Sequence, residues 1–399
     1  MSALGDRMFR EARFEDAGTA YSQALNLDKS NVQGHLGMGK LAMLLSDVQR
    51  AAHHYSAAYQ IAPRDPDAIL AFADVVQSPG ARKMLLRNFL AFAGDARNED
   101  VRARLHVAEQ TETTSVAALN SPYQTYRIPL SNIGTANIRT AGLSLRARIN
   151  GGRELKLIVD TGAAGIVLNA SAGSQANLAF LGDAVLSGFG SAKPGLARIA
   201  RAESFETGGL KIANVLLDVS ETDMTREADG WIGLDVFKDF LIRLDARART
   251  LELAPFADQA GNHSEAGMAC EDCLQAYRLG SLLLLRGTVN GHANGYFILD
   301  SGSPYTMVSR KLLSEHGRPA TFSGAQGGQD VAVPSTPVSI RLGNRRLMGF
   351  EYATFDTSAI SSRNGTEIAG AIGYSVLRNL TVTVNYRDGM VKLGNPGRD

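Results

Sequence analysis

The chain of 399 residues has little of what marks several protein classes. It holds two cysteines and one tryptophan, and two cysteines exclude a scaffold built on several disulfides. Its net charge of +1 leaves no basic surplus, so neither nucleic acid nor a membrane surface is an expected partner. The longest apolar runs, such as residues 282–285, are too short to span a bilayer. Residues 1–7 carry no apolar signal core, and we therefore expect a cytoplasmic protein.

Several chemical motifs are also missing. No His-Glu-x-x-His or Gly-x-Ser-x-Gly sequence occurs, which disfavours a metalloprotease or a serine hydrolase. Cys270 and Cys273 have Cys-x-x-Cys spacing, but no second pair completes a zinc site, so an incidental pair, a disulfide and a metal ligand pair remain open. The glycines of residues 37–42 fit a dinucleotide fingerprint without the strand that should precede it. We expect no metal and no cofactor.

The first part of the chain repeats with a period of 34 residues. Small and aromatic residues recur at this spacing, since Gly5 and Tyr21 return as Gly39 and Tyr55. Small residues allow the helices of a hairpin to approach closely, and aromatic rings fill the space beside them. The pattern resembles the tetratricopeptide repeat, and residues 98–111 are predicted to form a capping helix. Such arrays present a concave surface, which we expect to bind a peptide or protein segment, although a purely structural or dimerising role is also open.

The rest of the chain contains a second, longer repeat. Residues 157–163, Leu-Ile-Val-Asp-Thr-Gly-Ala, return as residues 297–303, Phe-Ile-Leu-Asp-Ser-Gly-Ser, at an offset of 300 − 160 = 140. The same offset relates Trp-Ile-Gly-Leu at 231–234 to Ala-Ile-Gly-Tyr at 371–374. Short apolar runs separated by glycine indicate β-strands. An internal duplication of an all-β domain follows.

Each copy delivers one aspartate at the end of an apolar strand, Asp160 in the first and Asp300 in the second. Two carboxylates held close together cannot both ionise, because their charges repel at low dielectric. One then keeps a proton while the other can act as a base towards water. This arrangement suits the hydrolysis of an amide bond.

Residues 124–395 resemble two fused lobes of the retropepsin-like aspartic proteases. The resemblance rests on the two Asp-Thr/Ser-Gly sequences, a glycine-rich flap candidate in each half and the apolar-Gly turns at 231–234 and 371–374. It implies a catalytic Asp160–Asp300 dyad supported by residues that close the two turns and lock the lobes together: Thr161, Gly162, Ser301 and Gly302. It also implies substrate-binding flaps containing Gly188, Phe189, Gly190, Gly327 and Gly328. Neither flap candidate has the tyrosine that pepsin-like enzymes use.

The residue after each glycine bears on the working pH. At this position Ala163 matches the pattern of viral retropepsins, whereas pepsins have a residue with a hydroxyl group there. Losing a hydrogen bond to the ionised form raises the pKa of a carboxylate, so a mildly acidic to neutral optimum is expected. Ser303 occupies the position in the second lobe, so the effect is expected to be one-sided.

Other acidic residues are interpreted as structural or solvated. Asp183, Asp218, Asp235 and Asp330 are expected to be solvated loop acids. Asp245 ends a predicted strand, where a structural hydrogen bond is the expected role, and its counterpart is Asn385.

The expected fold is therefore an α-helical tetratricopeptide-like array followed by an all-β bilobal, duplicated pepsin- or retropepsin-like domain. The predicted domains are 1–118 for the helices and linker, 119–257 for lobe 1, 258–275 for a linker and 276–399 for lobe 2. The expected function is aspartic endopeptidase action on a protein or precursor peptide held partly by the helices, with a monomeric catalytic unit. Two alternatives are an inactive pseudoprotease that binds peptides and a scaffold in which the helical array is the functional part.

Overall fold

The computed structural model of the protein describes residues 1–92, 98–111, 117–135, 138–186, 195–256, 272–313, 318–324, 327–333, 338–348 and 352–395. The chain divides into two compact units. The first comprises residues 1–116 with 181–184, and the second comprises residues 117–180 and 185–399. An α-helical segment thus precedes a β-rich region, which confirms the expected fold class.

The helical unit is a series of antiparallel hairpins. Its helices are α1 (Ser2–Arg10), α2 (Phe14–Leu27), α3 (Val32–Leu44), α4 (Val48–Ile61), α5 (Pro66–Val75), α6 (Pro79–Phe92) and α7 (Asn98–Thr111). Asparagine or aspartate side chains cap three of them, such as Asn31, which accepts a hydrogen bond from the Gly34 N–H at 2.7 Å. The last helix matches the predicted capping helix.

The 34-residue period has a direct packing explanation. A Cβ added to Gly5 would lie 2.5 Å from the Tyr21 ring, and one added to Gly39 would lie closer still to the Tyr55 ring. Each of these two buried rings therefore requires a glycine on the facing helix, and the pair occurs in the first two hairpins, while the third has Ala73 and Phe89 at the same positions. The helical hairpins are confirmed, while the relation to tetratricopeptide repeats stays a prediction.

The first half of the β region builds lobe 1. Its strands are β1 (Ala118–Leu119), β2 (Tyr126–Pro129), β3 (Ser131–Thr135), β4 (Ile138–Ile149), β5 (Glu154–Asp160), β6 (Ile166–Leu168), β7 (Ala179–Leu186), β8 (Gly195–Thr207), β9 (Leu210–Ser220), β10 (Gly230–Gly233), β11 (Leu241–Asp245) and β12 (Thr250–Ala254). A short helix α8 (Ala170–Gln175) and a 3₁₀ helix (Leu234–Phe237) interrupt them.

The second half builds lobe 2 on the same plan. Its strands are β13 (Cys273–Leu279), β14 (Leu282–Val289), β15 (Ala293–Leu299), β16 (Thr306–Ser309), β17 (Arg318–Gly324), β18 (Gly327–Val333), β19 (Ile340–Leu342), β20 (Arg345–Leu347), β21 (Tyr352–Phe355), β22 (Gly370–Ile372), β23 (Thr381–Asn385) and β24 (Met390–Gly394). A 3₁₀ helix (Arg310–Leu312), α9 (Ser358–Asn364) and α10 (Tyr374–Leu377) complete it. The predicted hairpin turns are observed, since Asn150 and Asn290 both have positive φ, 51° each, as Asn-Gly turns require.

Strands of both lobes pair in the order β13-β24-β23-β11-β12-β2, which is one end of a 15-stranded sheet. At the centre of this run of strands Ile242 opposes Val384, Arg243 opposes Thr383 and Leu244 opposes Val382. Arg243 and Thr383 are themselves related by the 140-residue offset, so exchanging the lobes reproduces the same pairing. The duplication therefore folds around an approximate two-fold axis that passes through this sheet, and one apolar core extends through both lobes.

The four acids expected to be solvated in loops lie in regular elements, so their assignment to loops is wrong, although Asp183 is exposed as expected. Asp183 lies in β7, Asp218 in β9 and Asp330 in β18, while Asp235 lies in the 3₁₀ helix Leu234–Phe237. A strand with one solvated or partly open face accommodates acidic residues at alternate positions. An acidic residue in the sequence is therefore not enough to indicate a loop. No helix within the described ranges is long and apolar enough to cross a membrane.

Candidate active site

Asp160 and Asp300 end equivalent strands in the two lobes. Asp160 is the last residue of β5, which runs parallel to β10, with Asp160 opposite Gly233. Asp300 follows β15, which runs parallel to β22, and its N–H donates to the Ile372 carbonyl at 3.0 Å. The apolar residues before each aspartate are almost fully buried, so the strands are fixed by the core and their ends are held in place.

Four reciprocal hydrogen bonds join the turns that follow. The Thr161 hydroxyl donates to the Leu299 carbonyl and the Ser301 hydroxyl donates to the Val159 carbonyl, each at 2.8 Å. The Ser301 N–H donates to the Thr161 hydroxyl at 2.8 Å, and the Thr161 N–H donates to the Ser301 hydroxyl at 3.1 Å. Every bond maps onto its partner under the 140-residue offset. Because both hydroxyls are buried and fully used, they fix the separation of the two aspartates.

The glycine of each turn lies against the carboxyl group of the opposite lobe. A Cβ added to Gly162 would lie 3.0 Å from the Asp300 Cγ atom, and one added to Gly302 would lie 2.7 Å from the Asp160 Oδ1 atom and nearer still to its Cγ. A side chain at Gly302 would therefore overlap the opposite carboxyl group, and one at Gly162 would be in tight contact with it. The absence of a Cβ allows the two carboxyl groups to meet between the lobes.

The two carboxyl groups are hydrogen-bonded to each other and to backbone N–H groups. Gly162 donates to Asp160 Oδ1 at 2.8 Å, and Ser303 donates through its N–H to Asp300 Oδ1 at 2.9 Å. Burial raises the pKa of Asp160 against these hydrogen bonds. Burial, together with the charge of Asp160, raises the pKa of Asp300 well above its usual value. The pair therefore keeps one shared proton at a pH where isolated aspartates are ionised, and the two groups titrate as a unit.

The hydroxyl of Ser303 does not take part in this pair. It donates to the Tyr305 carbonyl at 2.9 Å, so Ser303 supports Asp300 only through its N–H. The one-sided effect expected from Ser303 is therefore wrong. Both lobes lack a side-chain hydroxyl on the outer side of the carboxyl group, which makes Ala163 and Ser303 equivalent in this respect.

Both lobes match the model of the aspartyl protease family. The matched residues are 145–236 and 285–376, each stretch containing one of the two aspartates. The two stretches start 285 − 145 = 140 residues apart, the offset found in the sequence. A comparison with curated proteins found no match. The family match and the bilobal fold agree, and they support aspartic protease chemistry as the broad class.

Asp235 is a part of the site region that sequence reasoning assigned to solvent. Its carboxyl group accepts a hydrogen bond from the Gly165 N–H at 2.9 Å, which closes the loop that follows Asp160. Burial raises the pKa of Asp235, while its hydrogen bond with Gly165 and the positive charge of Arg278 oppose that shift. The counterpart of Asp235 in lobe 2 is Ser375, which accepts from the Thr306 N–H at 3.1 Å. The position therefore anchors a loop in both lobes. The 140-residue offset aligns Asp235 with Ser375, and two aligned hydrogen-bond acceptors could have indicated this role from the sequence.

The flap candidates are only partly described. In lobe 2, Gly327 and Gly328 begin β18 and pair with Gly324 and Ser323 of β17, so they lie at the turn of a β-hairpin. In lobe 1, Gly188, Phe189 and Gly190 fall outside the described residues, between β7 and β8. Their role as flaps stays a prediction.

Asp245 has the structural role that was predicted. Its Oδ1 atom accepts from the Ala248 N–H at 2.8 Å, and Asn385 accepts in the same way from the Asp388 N–H at 3.0 Å. These bonds close the equivalent turns of the two terminal hairpins. Neither residue is therefore available for catalysis.

The structure describes one of the two cysteines. Cys273, the first residue of β13, is disulfide-bonded, which selects the disulfide among the open alternatives. Cys270, the other cysteine of the chain, lies outside the described residues. In the described part of the chain no group of three or more His, Cys, Asp or Glu residues could hold a metal ion.

Proposed function

We propose that the protein is an aspartic endopeptidase that hydrolyses peptide bonds with the Asp160–Asp300 pair. The observation that carries this proposal is the hydrogen-bonded carboxyl pair, held between the lobes by the Thr161–Ser301 bonds. A binding protein has no need for two buried acids of raised pKa, because each costs free energy to bury. Perturbed, paired carboxyl groups are typical of a catalytic site.

The proposed chemistry assigns each carboxyl group one role per cycle. Asp160 accepts a proton from a water molecule as its oxygen attacks the peptide carbonyl carbon, and Asp300 donates its proton to the carbonyl oxygen. The resulting diol collapses when Asp160 passes its proton to the nitrogen, one diol hydroxyl gives its proton to Asp300 and the C–N bond breaks. The pair then again holds one proton and is ready for a second substrate.

The proposed substrate is an extended peptide segment. Such a segment can pair its backbone with strand edges near the cleft, which gives affinity with little dependence on sequence. We propose that the helical unit binds another part of the same protein or precursor peptide. Because both aspartates come from one chain, we propose that the catalytic unit is a monomer.

Digestion of an unstructured protein such as casein, or of a peptide library, tests this function. We expect internal cleavage that pepstatin, an inhibitor shaped like the tetrahedral intermediate, blocks. Specific activity should stay constant on dilution, because no second chain is needed. Binding of peptides without any cleavage would instead support the pseudoprotease alternative, and loss of activity on dilution would contradict the monomeric unit.

Removal of residues 1–118 tests the proposed role of the helical unit. If this unit holds the substrate, it raises the local concentration of the scissile segment, to the order of millimolar for short flexible links. We therefore expect kcat/KM to fall much more for the native protein substrate than for a short peptide. Equal losses on both would show that the helices only stabilise the β region, and no loss on either would assign them another partner.

A further inference from the structure

A row of side chains crosses lobe 1 on the face that carries Asp160. Ile158 opposes Trp231 in the β5–β10 pair, Trp231 opposes Val167 in the β10–β6 pair, and Val167 opposes Asp218 in the β6–β9 pair. Opposed residues project to the same side of a sheet, and residues two apart on a strand do so as well. Since Ile158 lies two residues before Asp160, all four side chains share its face.

The opposite face of these strands is the core. Val159, Ile232, Leu168 and Val219 project there, and none is more than 4% exposed. On the Asp160 face, by contrast, Trp231, Val167 and Asp218 are each partly exposed. The row therefore forms a surface open to a ligand beside the carboxyl pair.

Asp218 is the one charged residue of this row, and the proposed chemistry does not use it. Its carboxyl group is half-buried, and no hydrogen bond or ion pair joins it to any residue that the structure describes. Burial alone raises its pKa. Arg201 shares the face on β8, but it opposes Leu216 and forms no ion pair with Asp218. A half-buried carboxylate without a partner is costly unless a ligand supplies the partner.

Lobe 2 provides an internal comparison. The equivalent row there consists of Ile298, Ala371, Met307 and Ala353, joined by the same sequence of parallel, antiparallel and parallel pairs. Trp231 thus corresponds to Ala371, and Asp218 corresponds to Ala353. Because the duplicated fold does not require an acid at this position, Asp218 serves something other than the fold.

We propose, resting on the proposed function, that this row is one wall of the substrate cleft and that Asp218 selects substrates with a lysine or arginine side chain. The adjacent Trp231 and Val167 form an apolar stretch between that cation and the scissile bond. A cation from the substrate completes the hydrogen bonding of the carboxylate. The equivalent row in lobe 2 is apolar and buried, so the selection acts on one side of the scissile bond.

The order of the strands sets the distance between Asp218 and the scissile bond. Three strand separations lie between β5 and β9, which is about 14 Å at roughly 4.8 Å per strand, or about four residues of extended peptide. The length of a lysine or arginine side chain shortens this span. The cation should therefore lie about two to four residues from the scissile bond.

Peptide binding and cleavage together test the proposal. In the Asp160→Asn variant, whose turnover should be strongly reduced, we expect peptides with arginine within this span to bind about 10- to 100-fold more tightly than peptides with glutamine there. Adding Asp218→Asn should remove this preference and leave the affinity for the glutamine peptide unchanged. Asn is nearly isosteric and removes a buried charge, so the variant should fold, and thermal unfolding checks this.

The control is Glu221→Gln, which removes the same charge from an exposed residue just beyond β9 and should leave the preference intact. A preference that persists in Asp218→Asn, or no preference for a cation in the starting protein, would overturn the inference. The wild-type enzyme should show the same preference in kcat/KM. If it cleaves nothing while the binding preference still depends on Asp218, the proposed hydrolysis fails and the cation subsite stands.

Discussion

Asp160→Asn and Asp300→Asn are each expected to lower kcat/KM for peptide hydrolysis by about 10²- to 10⁴-fold. Asn fills nearly the same space as Asp, but it can neither accept the proton of water nor hold the shared proton. The double variant should lose no more than the single variants, because residues that act as one unit are lost together. Initial rates on a cleaved peptide, measured from acidic to neutral pH, give these values.

The pH profile of the wild-type enzyme adds a second observable. The rate should fall on both sides of an optimum, which reports the two apparent pKa values of the pair. Both are displaced upward by burial, so we place the optimum in mildly acidic to neutral solution. If Asp300→Asn cleaved at the wild-type rate, lobe 2 would be a catalytically inactive copy. That result would also contradict the proposal that the catalytic unit is a monomer.

Thermal unfolding of the same variants separates catalysis from folding. Because the pKa of Asp300 is higher in the folded state than in the unfolded state, folding takes up a proton over the interval between the two values. The stability of the wild-type protein should therefore fall as the pH rises from about 4. Asp300→Asn lacks this group, so its unfolding temperature should fall less. Asp239→Asn, a matched change at an exposed carboxyl group, is the control for the loss of one negative charge.

The carboxyl pair and the bilobal fold were predictable because the sequence repeats. The 140-residue offset places Asp160 and Asp300 at equivalent points, and a duplicated fold brings equivalent points together at its two-fold axis. The same reasoning explains why Thr161 and Ser301 bond reciprocally. The repeat thus predicts contacts between residues 140 positions apart in the chain, which local sequence patterns do not predict.

Asp218 and Asp235 show where such reasoning stops. Hydropathy assigns a lone acid to solvent, because charged side chains are rarely buried. The surroundings of both residues come from segments far away in the chain: Val167 lies beside Asp218 through a parallel pairing, and Gly165 donates to Asp235 across 70 residues. Strand register decides such contacts, and the spacing of apolar residues in a sequence does not give the register between non-neighbouring strands.

Gly302→Ala is expected to reduce kcat/KM by about 10²-fold or more, although it changes no chemical group. The added Cβ would lie 2.7 Å from Asp160 Oδ1 and nearer to the Asp160 Cγ atom, so that carboxyl group or the turn has to move. Displacement of a reacting group by about 1 Å costs on the order of 10²-fold in rate. The measurement is the initial rate on the same peptide, with thermal unfolding as a check on folding.

Two further glycines make this a graded series. In Gly162→Ala the new Cβ would lie 3.0 Å from the Asp300 Cγ atom, a milder overlap, and the loss should be smaller. In Gly142→Ala the nearest contact would be the Ser301 carbonyl oxygen at 3.6 Å, an ordinary van der Waals distance, so activity should be close to that of the wild type. Because Gly142 lies beside the same turn, it controls for the general effect of a methyl group in this region. Wild-type activity in Gly302→Ala would show that the carboxyl pair tolerates displacement, and the close approach of the two lobes would then not be what sets the rate.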